Sequence, residues 1–126
     1  VCASGGYYVA VATDKIFVDK ASLVGSIGVL MDGFGFAGTL EKLGIERRLL
    51  TAGENKGFLD PFTPLDPIQK EHAKTLLKEI HEQFITVVQQ GRGTRLKDDP
   101  KIFSIDLGLA DEMGDAEYVA REIVKA

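Results

Sequence analysis

Residues 1–12 read VCASGGYYVAVA, and this stretch decides the fold class that we expect for the chain. It reads as the end of an apolar strand, a tight turn over residues 4–6 (SGG) and a short helix over residues 7–12. Because this helix is apolar on nearly every side, we expect it to be buried. A strand that passes through a small-residue turn into a buried helix is typical of an α/β protein.

Outward from this stretch, short elements continue the alternation of strands and helices. Residues 15–19 (KIFVD) predict a strand, and residues 23–31 (LVGSIGVLM) predict a buried strand whose glycines allow a bulge or close backbone approach. Residues 36–43 predict a helix that ends with Gly44 at its C′ position. A further strand is expected over residues 46–50.

The strongest periodic signal predicts a long helix over residues 66–90. Asp66 would cap it, Pro67 would occupy its first turn and Gly91 would end it. Residues 115–125 predict a last amphipathic helix, so the whole chain reads as an α/β layer with a largely parallel sheet. The apolar positions of the long helix recur every three or four residues: Ala73, Leu76, Leu77, Ile80, Phe84, Val87 and Val88.

Composition narrows the function classes. The 126 residues suit a single domain, which we take over 1–126, and the net charge of −4 with mixed signs argues against nucleic-acid binding. The single cysteine, Cys2, excludes an internal disulfide and a cysteine-rich metal site. Because the chain starts without Met inside an apolar motif, we expect the core of a longer protein, without its upstream half and any membrane anchor.

The turn at Ser4 is a candidate site for a nucleophile. A sharp turn projects the serine hydroxyl, and a following glycine lets a substrate carbonyl approach the Gly5 amide. The alternative is that small residues merely allow the strand and the helix to pack closely. These residues alone leave both interpretations open.

A serine nucleophile needs a base within hydrogen-bond reach. The two histidines, His72 and His81, both lie on the long helix, and we interpret them as solvated. Lys56 follows a predicted core strand, in a loop (AGENKGF), and the side chains of Phe58, Leu59 and Phe62 after it could exclude water. An amine in water has a pKa of about 10.4, so a lysine base must be shielded to become neutral. A plain surface lysine is the alternative.

Three segments resemble the signal peptide peptidase A and SohB family of Ser/Lys peptidases. They are residues 3–10 (ASGGYYVA), 24–29 (VGSIGV) and 51–56 (TAGENK), and residues 107–111 (LGLAD) extend the likeness. Their order and spacing match over most of the chain. The resemblance implies a crotonase-like fold, shared with the Clp proteases.

The resemblance also implies roles for individual residues. Ser4 would be the acylating nucleophile, Lys56 the general base and Gly5 the donor of an oxyanion-hole amide. Ser26 would orient the amine of Lys56, although its hydroxyl could instead satisfy local backbone groups. An extended peptide would add as a strand beside the residues that we take as the substrate-binding segment: Ile27, Gly28, Val29 and Leu30.

The family resemblance further implies a homo-oligomer, in which neighbouring protomers can share the dyad, that degrades cleaved signal peptides and other apolar peptides. Neither a metal nor another cofactor is expected. The protein would be associated with the bacterial inner membrane through other segments and would face the periplasm. We also expect a stretch of sequence to be missing between Ser104 and Ile105.

Three rival functions make different demands on the sequence. A Clp-type Ser-His-Asp triad fails, because the window that would carry its histidine, residues 25–32 (GSIGVLMD), contains none. A crotonase-like enzyme acting on acyl-coenzyme A thioesters would need no Ser/Lys pair. A non-catalytic scaffold of the same fold could bind membrane partners. The last two stay open at the level of sequence.

Overall fold

The computed structural model describes residues 1–53, 55–97 and 108–125. The chain divides into two compact units, one formed by Val1–Val29 with Ile80–Ala126 and the other by Leu30–Glu79. Strands and helices alternate as expected. In chain order the elements are β1 (Cys2–Ala3), α1 (Gly5–Ala10), β2 (Phe17–Val18), β3 (Val24–Gly25), α2 (Ala37–Lys42), α3 (Pro67–Arg92), a 3₁₀ turn (Gly93–Arg95), β4 (Glu112–Met113) and α4 (Ala116–Lys125).

The strands of the first unit pair in parallel, which confirms an α/β arrangement. Strand β1 pairs with β3, with Ala3 opposite Gly25. Strand β2 pairs with β4, with Val18 opposite Met113. The predicted strand over residues 23–31 was too long, because pairing in β3 stops at Gly25.

The core of the first unit forms around α1 and α3. The Tyr7 hydroxyl is buried and donates a 2.7 Å hydrogen bond to the Leu109 carbonyl oxygen, and burial raises the pKa of Tyr7 to about 12. The prediction that α1 is buried on nearly every side was wrong, because Val9 is 71% exposed. The fully packed apolar residues of this core are Tyr7, Val11, Ile16, Val18, Ile27, Phe84, Val88 and Leu109.

A buried ion pair joins the end of α3 to the segment before β4. The guanidinium of Arg92, 1% exposed, donates two hydrogen bonds of 2.9 and 3.0 Å to the carboxylate of Asp111 and one of 2.7 Å to the Gly108 carbonyl. Asp111 also accepts a 2.7 Å bond from the Ile16 amide. The hydrogen bonds from Arg92 lower the pKa of Asp111 from its ordinary 3.8 to about 2. We call this ion pair the Arg92–Asp111 clasp.

Helix α3 begins where the sequence predicts and ends two residues later. The Asp66 carboxylate accepts hydrogen bonds from the amides of Ile68 (2.6 Å) and Gln69 (3.1 Å), so it is the N-cap. The prediction that Gly91 ends the helix was wrong, because the helix continues to Arg92. A side chain at Gly91 would overlap the carbonyl oxygen of Val11, so this glycine allows α3 to approach α1.

The second unit contains α2 and the loop that carries Lys56. Gly44 (φ +64°) ends α2, and the Ile45 amide bonds to the Leu40 carbonyl at 2.9 Å, as in a Schellman motif. The strand expected over residues 46–50 does not form. Arg47 in that segment instead forms an ion pair with Asp60 and lies 5.6 Å from the ring centre of Phe62.

Candidate active site

Ser4 lies at the junction between β1 and α1 with a backbone conformation that is rare for serine. Its φ and ψ are 52° and −123°, a region that costs a non-glycine residue about 1–3 kcal/mol. Two backbone bonds fix the turn: the Ser4 amide donates to the Gly25 carbonyl (2.8 Å), and the Ser4 carbonyl accepts from the Tyr8 amide (2.9 Å). Although Ser4 stands at the N-cap position, its side chain makes no capping hydrogen bond. The hydroxyl is therefore on an exposed, sharply turned residue and is not used to cap the helix.

Ser26 stands at the end of the neighbouring strand. Because Ala3 pairs with Gly25, the next residues along the two parallel strands are Ser4 and Ser26. Ser26 also has a φ of 52° and is exposed. The structure thus brings two strained serines to one edge of the β1–β3 pair. It describes no hydrogen bond of the Ser26 hydroxyl among the residues it covers, so the local role that we had considered for that group is not seen.

The amide of Gly5 follows Ser4 directly and opens α1. Apart from its chain neighbours and the backbone of its own helix, no atom of the described residues lies within 4 Å of the position that a Cβ of Gly5 would take. A substrate carbonyl placed beside the Ser4 hydroxyl could therefore reach the Gly5 N–H.

The predicted substrate-binding segment, residues 27–30, continues from Ser26 without regular strand pairing in the described parts of the chain. The Ile27 side chain is buried in the core (4% exposed), so Ile27 offers a peptide only its backbone. Gly28 is exposed and Val29 is half-buried. Leu30, 79% exposed, belongs to the second unit.

His81 contacts this segment, which the sequence analysis had missed. Its Nε2 atom lies 3.1 Å from the Ile27 carbonyl oxygen, and the side chain is half-buried rather than solvated. A signal was available: His81 lies four residues after Leu77 and three before Phe84, on the buried stripe of α3. His72, by contrast, is exposed as expected and contacts the Phe58 ring edge-on, with 5.6 Å between the ring centres.

Lys56 belongs to the second unit and is exposed. Its amide donates a long 3.4 Å bond to the Gly53 carbonyl, so the residue sits in a turn. Phe58 and Leu59 are half-buried, whereas Phe62 stacks on Phe36 at 5.6 Å. The apolar cover predicted for Lys56 is therefore not supplied within this unit, and the pairing of Ser4 with Lys56 stays a prediction.

The described residues were also considered as a membrane span and as a metal site, and they form neither. None of their helices is long and apolar enough to cross a membrane. No group of three or more His, Cys, Asp or Glu side chains in residues 1–53, 55–97 and 108–125 is placed to hold a metal ion. The junction expected between Ser104 and Ile105 lies outside the described residues.

Comparison with known proteins gives a family match over the whole chain. The family model described as peptidase family S49 matches residues 1–126. Among individual relatives, a chloroplastic serine protease, SPPA, of Arabidopsis thaliana is 38% identical over 67% of this chain and 13% of its own length. The capsid assembly protease C of Escherichia phage lambda is 29% identical over 98% of this chain and 30% of its own length.

A third relative carries a name of another kind. A protein of Brucella abortus named Na(+)/H(+) antiporter NhaA is 45% identical over 97% of this chain. The chain spans only 18% of the length of that protein, so its name describes a much longer molecule. The segment that the two share is the one that matches the peptidase family model.

Proposed function

Because the chain belongs to peptidase family S49, we propose that it carries the catalytic centre of a serine endopeptidase with a Ser4/Lys56 dyad. The observation that best supports this is the conformation of Ser4, which is exposed, strained at φ 52° and free of a helix-capping role. Strained backbone of this kind concentrates at functional residues. A serine kept only for close packing would have no need of it.

The proposed reaction is acyl transfer to serine. The neutral amine of Lys56 takes the proton of the Ser4 hydroxyl as its oxygen attacks the peptide carbonyl. The Gly5 N–H donates a hydrogen bond to the oxyanion of the tetrahedral intermediate. The protonated amine then gives its proton to the leaving amine, and water hydrolyses the acyl-enzyme with the same amine as base.

Ser26 is proposed to orient the amine. It is the neighbour of Ser4 across the parallel pair, so its hydroxyl could accept a hydrogen bond from an amine that also reaches Ser4. Such a contact would aim the amine without adding a charge. A carboxylate in the same place would stabilise the protonated amine, which cannot act as a base.

The exposure of Lys56 supports the proposal that this protein works as a homo-oligomer. A lysine base must be shielded from water, and residues of its own unit leave Lys56 exposed. A second copy would supply that cover, and the Ser4 that Lys56 serves could belong to the same or to the neighbouring copy. The large exposed apolar side chains of the second unit, which include Leu50 (95%) and Phe34 (81%), suit such burial.

Family membership supports several finer proposals. We propose that the complete domain has the crotonase/ClpP-like superfold, to which the short parallel strands of this chain conform. Its substrates are cleaved signal peptides or other extended, apolar peptides, bound along the backbone of residues 27–30. The protein is proposed to associate with the bacterial inner membrane and to act on its periplasmic side.

A fluorophosphonate probe, which reacts only with an activated serine, tests the dyad. On the full-length protein, we expect labelling that Ser4→Ala and Lys56→Ala both abolish. Lys20→Ala removes an exposed lysine from a turn of the first unit and should label like the wild type. Labelling that survives Ser4→Ala would refute the proposal. A wild-type protein without labelling would favour a crotonase-like acyl-coenzyme A enzyme or a non-catalytic scaffold instead.

A further inference from the structure

His81 has a contact that the proposed chemistry does not use. It projects from α3 within the first unit, and its Nε2 atom lies 3.1 Å from the Ile27 carbonyl oxygen. Because a carbonyl oxygen can only accept, Nε2 is the donor and carries the hydrogen. In the neutral ring this leaves Nδ1 without a proton.

The carbonyl that receives this bond belongs to a segment with little other support. Pairing of β3 with β1 stops at Gly25, and the next residue, Ser26, has a strained φ of 52°. Beyond it, the Gly28 amide bonds only to the nearby Ser26 carbonyl, at 2.9 Å. In the part of the chain that the structure describes, the His81 bond is therefore the hydrogen bond that ties residues 27–29 to another element.

The Ile27 side chain adds a second anchor of a different kind. It is buried in the core beside α3, at 4% exposure, whereas Gly28 is exposed and Val29 half-buried. Burial fixes where the Ile27 side chain lies, but rotation of its peptide group would still be possible. The His81 bond fixes that rotation and hence the direction in which the following peptide groups point.

We propose that His81 is a positioning residue, which through the Ile27 carbonyl sets the backbone edge on which an extended peptide binds. This rests on the proposed function, because it takes residues 27–30 as the peptide-binding segment. In this proposal His81 acts through the Ile27 carbonyl and not by direct contact with Ser4 or the peptide. Its loss should weaken binding of extended peptides while leaving the reactivity of the Ser4 hydroxyl intact.

Two reactions of the full-length protein separate these effects. An apolar fluorogenic peptide needs the binding edge, whereas a small fluorophosphonate needs only the activated serine. For His81→Leu we expect KM for the peptide to rise about fivefold, the effect of one lost hydrogen bond, with kcat and the labelling rate within about twofold of wild type. His81→Gln, whose amide nitrogen can still donate to Ile27, should restore KM to within about twofold.

The control is Gln89→Leu, which removes an exposed polar side chain from the same helix and should change neither reaction. Unchanged KM in His81→Leu would overturn the proposal. So would an equal loss of labelling and cleavage, which would indicate general loosening of the fold, or a His81→Gln variant as impaired as His81→Leu. A wild-type protein that is not labelled at all would instead refute the dyad.

A measurement on the unaltered protein covers the case in which His81→Leu fails to fold. The ¹⁵N chemical shifts of the imidazole distinguish its two neutral tautomers. The contact with Ile27 requires the Nε2–H tautomer. The Nδ1–H tautomer would overturn the proposal whether or not the protein is a peptidase.

Discussion

Replacement of Asp111 by Asn tests the Arg92–Asp111 clasp, on which the packing of the first unit depends. The variant keeps the size of the side chain but leaves the guanidinium of Arg92, 1% exposed, without its counter-charge. Removal of one partner of a buried ion pair typically costs about 3–5 kcal/mol. We expect the free energy of unfolding at pH 7, from urea denaturation, to fall by about 3 kcal/mol.

The pH dependence of the free energy of unfolding gives an independent value for the contribution of Asp111 to stability. The pKa of Asp111 is lowered from 3.8 to about 2 in the folded state, mainly by the hydrogen bonds from Arg92. One pKa unit corresponds to about 1.36 kcal/mol, so ionised Asp111 stabilises the fold by about 2 kcal/mol. Because the folded pKa is the lower one, this stabilisation is present above about pH 4 and is lost as the pH falls towards 2. The stability difference between wild type and Asp111→Asn should therefore shrink by about 2 kcal/mol over that range.

Glu117→Gln is the matched control, because it breaks an ion pair with Arg121 in which both side chains are about 70% exposed. Such surface pairs contribute about 0–1 kcal/mol, so this variant should unfold nearly like the wild type at every pH. The account of the clasp is refuted if Asp111→Asn lies within about 0.5 kcal/mol of wild type at pH 7. A difference between the two proteins that stays constant from pH 5 to pH 2 would refute it as well.

Two further substitutions, one of them with a control in α2, test the packing of α1 by urea denaturation. Gly91→Ala should destabilise the fold by about 1–3 kcal/mol, because the added methyl group overlaps the Val11 carbonyl. Gly38→Ala, in α2 with open space around it, should be neutral or stabilising by about 0.5 kcal/mol, and equal effects at both sites would contradict the close approach. Tyr7→Phe should cost about 1–2 kcal/mol, because the buried Leu109 carbonyl loses its donor, and an unchanged stability would argue against that bond.

Much of the fold could be predicted because local signals agree with the final structure. Asp66 caps α3 and Gly44 ends α2, as their residue types imply. The turn at Ser4 and the parallel α/β arrangement were likewise predicted from residues 1–12 and from the alternation of elements. Asp66 and Gly44 act on residues close to them in the sequence, whereas the parallel strand pairs join distant residues and were predicted only as a class of arrangement.

The errors arose where distant contacts override local patterns. Glycine is a residue type typical of a helix end, but Gly91 is a contact point for Val11, 80 positions away in the chain. Residues 46–50 were expected to form a strand, yet Arg47 binds Asp60 in the loop that follows. His81 was placed in solvent because its hydrogen bond goes to the backbone of Ile27, which no motif marks.

The sequence predicted which residues belong to the candidate site, but not how they are arranged in space. The exposed, strained Ser4 and its neighbour Ser26 follow from the turn and from the register of β1 with β3. The cover of Lys56 could not be read in the same way, because Phe62, expected to exclude water, stacks on Phe36 instead. What shields a lysine in an oligomer depends on surfaces that no single chain specifies locally.

The most direct test of the central claim is the distance between the Ser4 Oγ and the Lys56 Nζ in an experimental structure of the assembled, full-length protein. We predict a separation of about 2.6–3.2 Å, within one copy or between adjacent copies, with the amine enclosed by apolar side chains. A Lys56 amine that stays in solvent, beyond hydrogen-bond reach of every Ser4 in the assembly, would contradict the account.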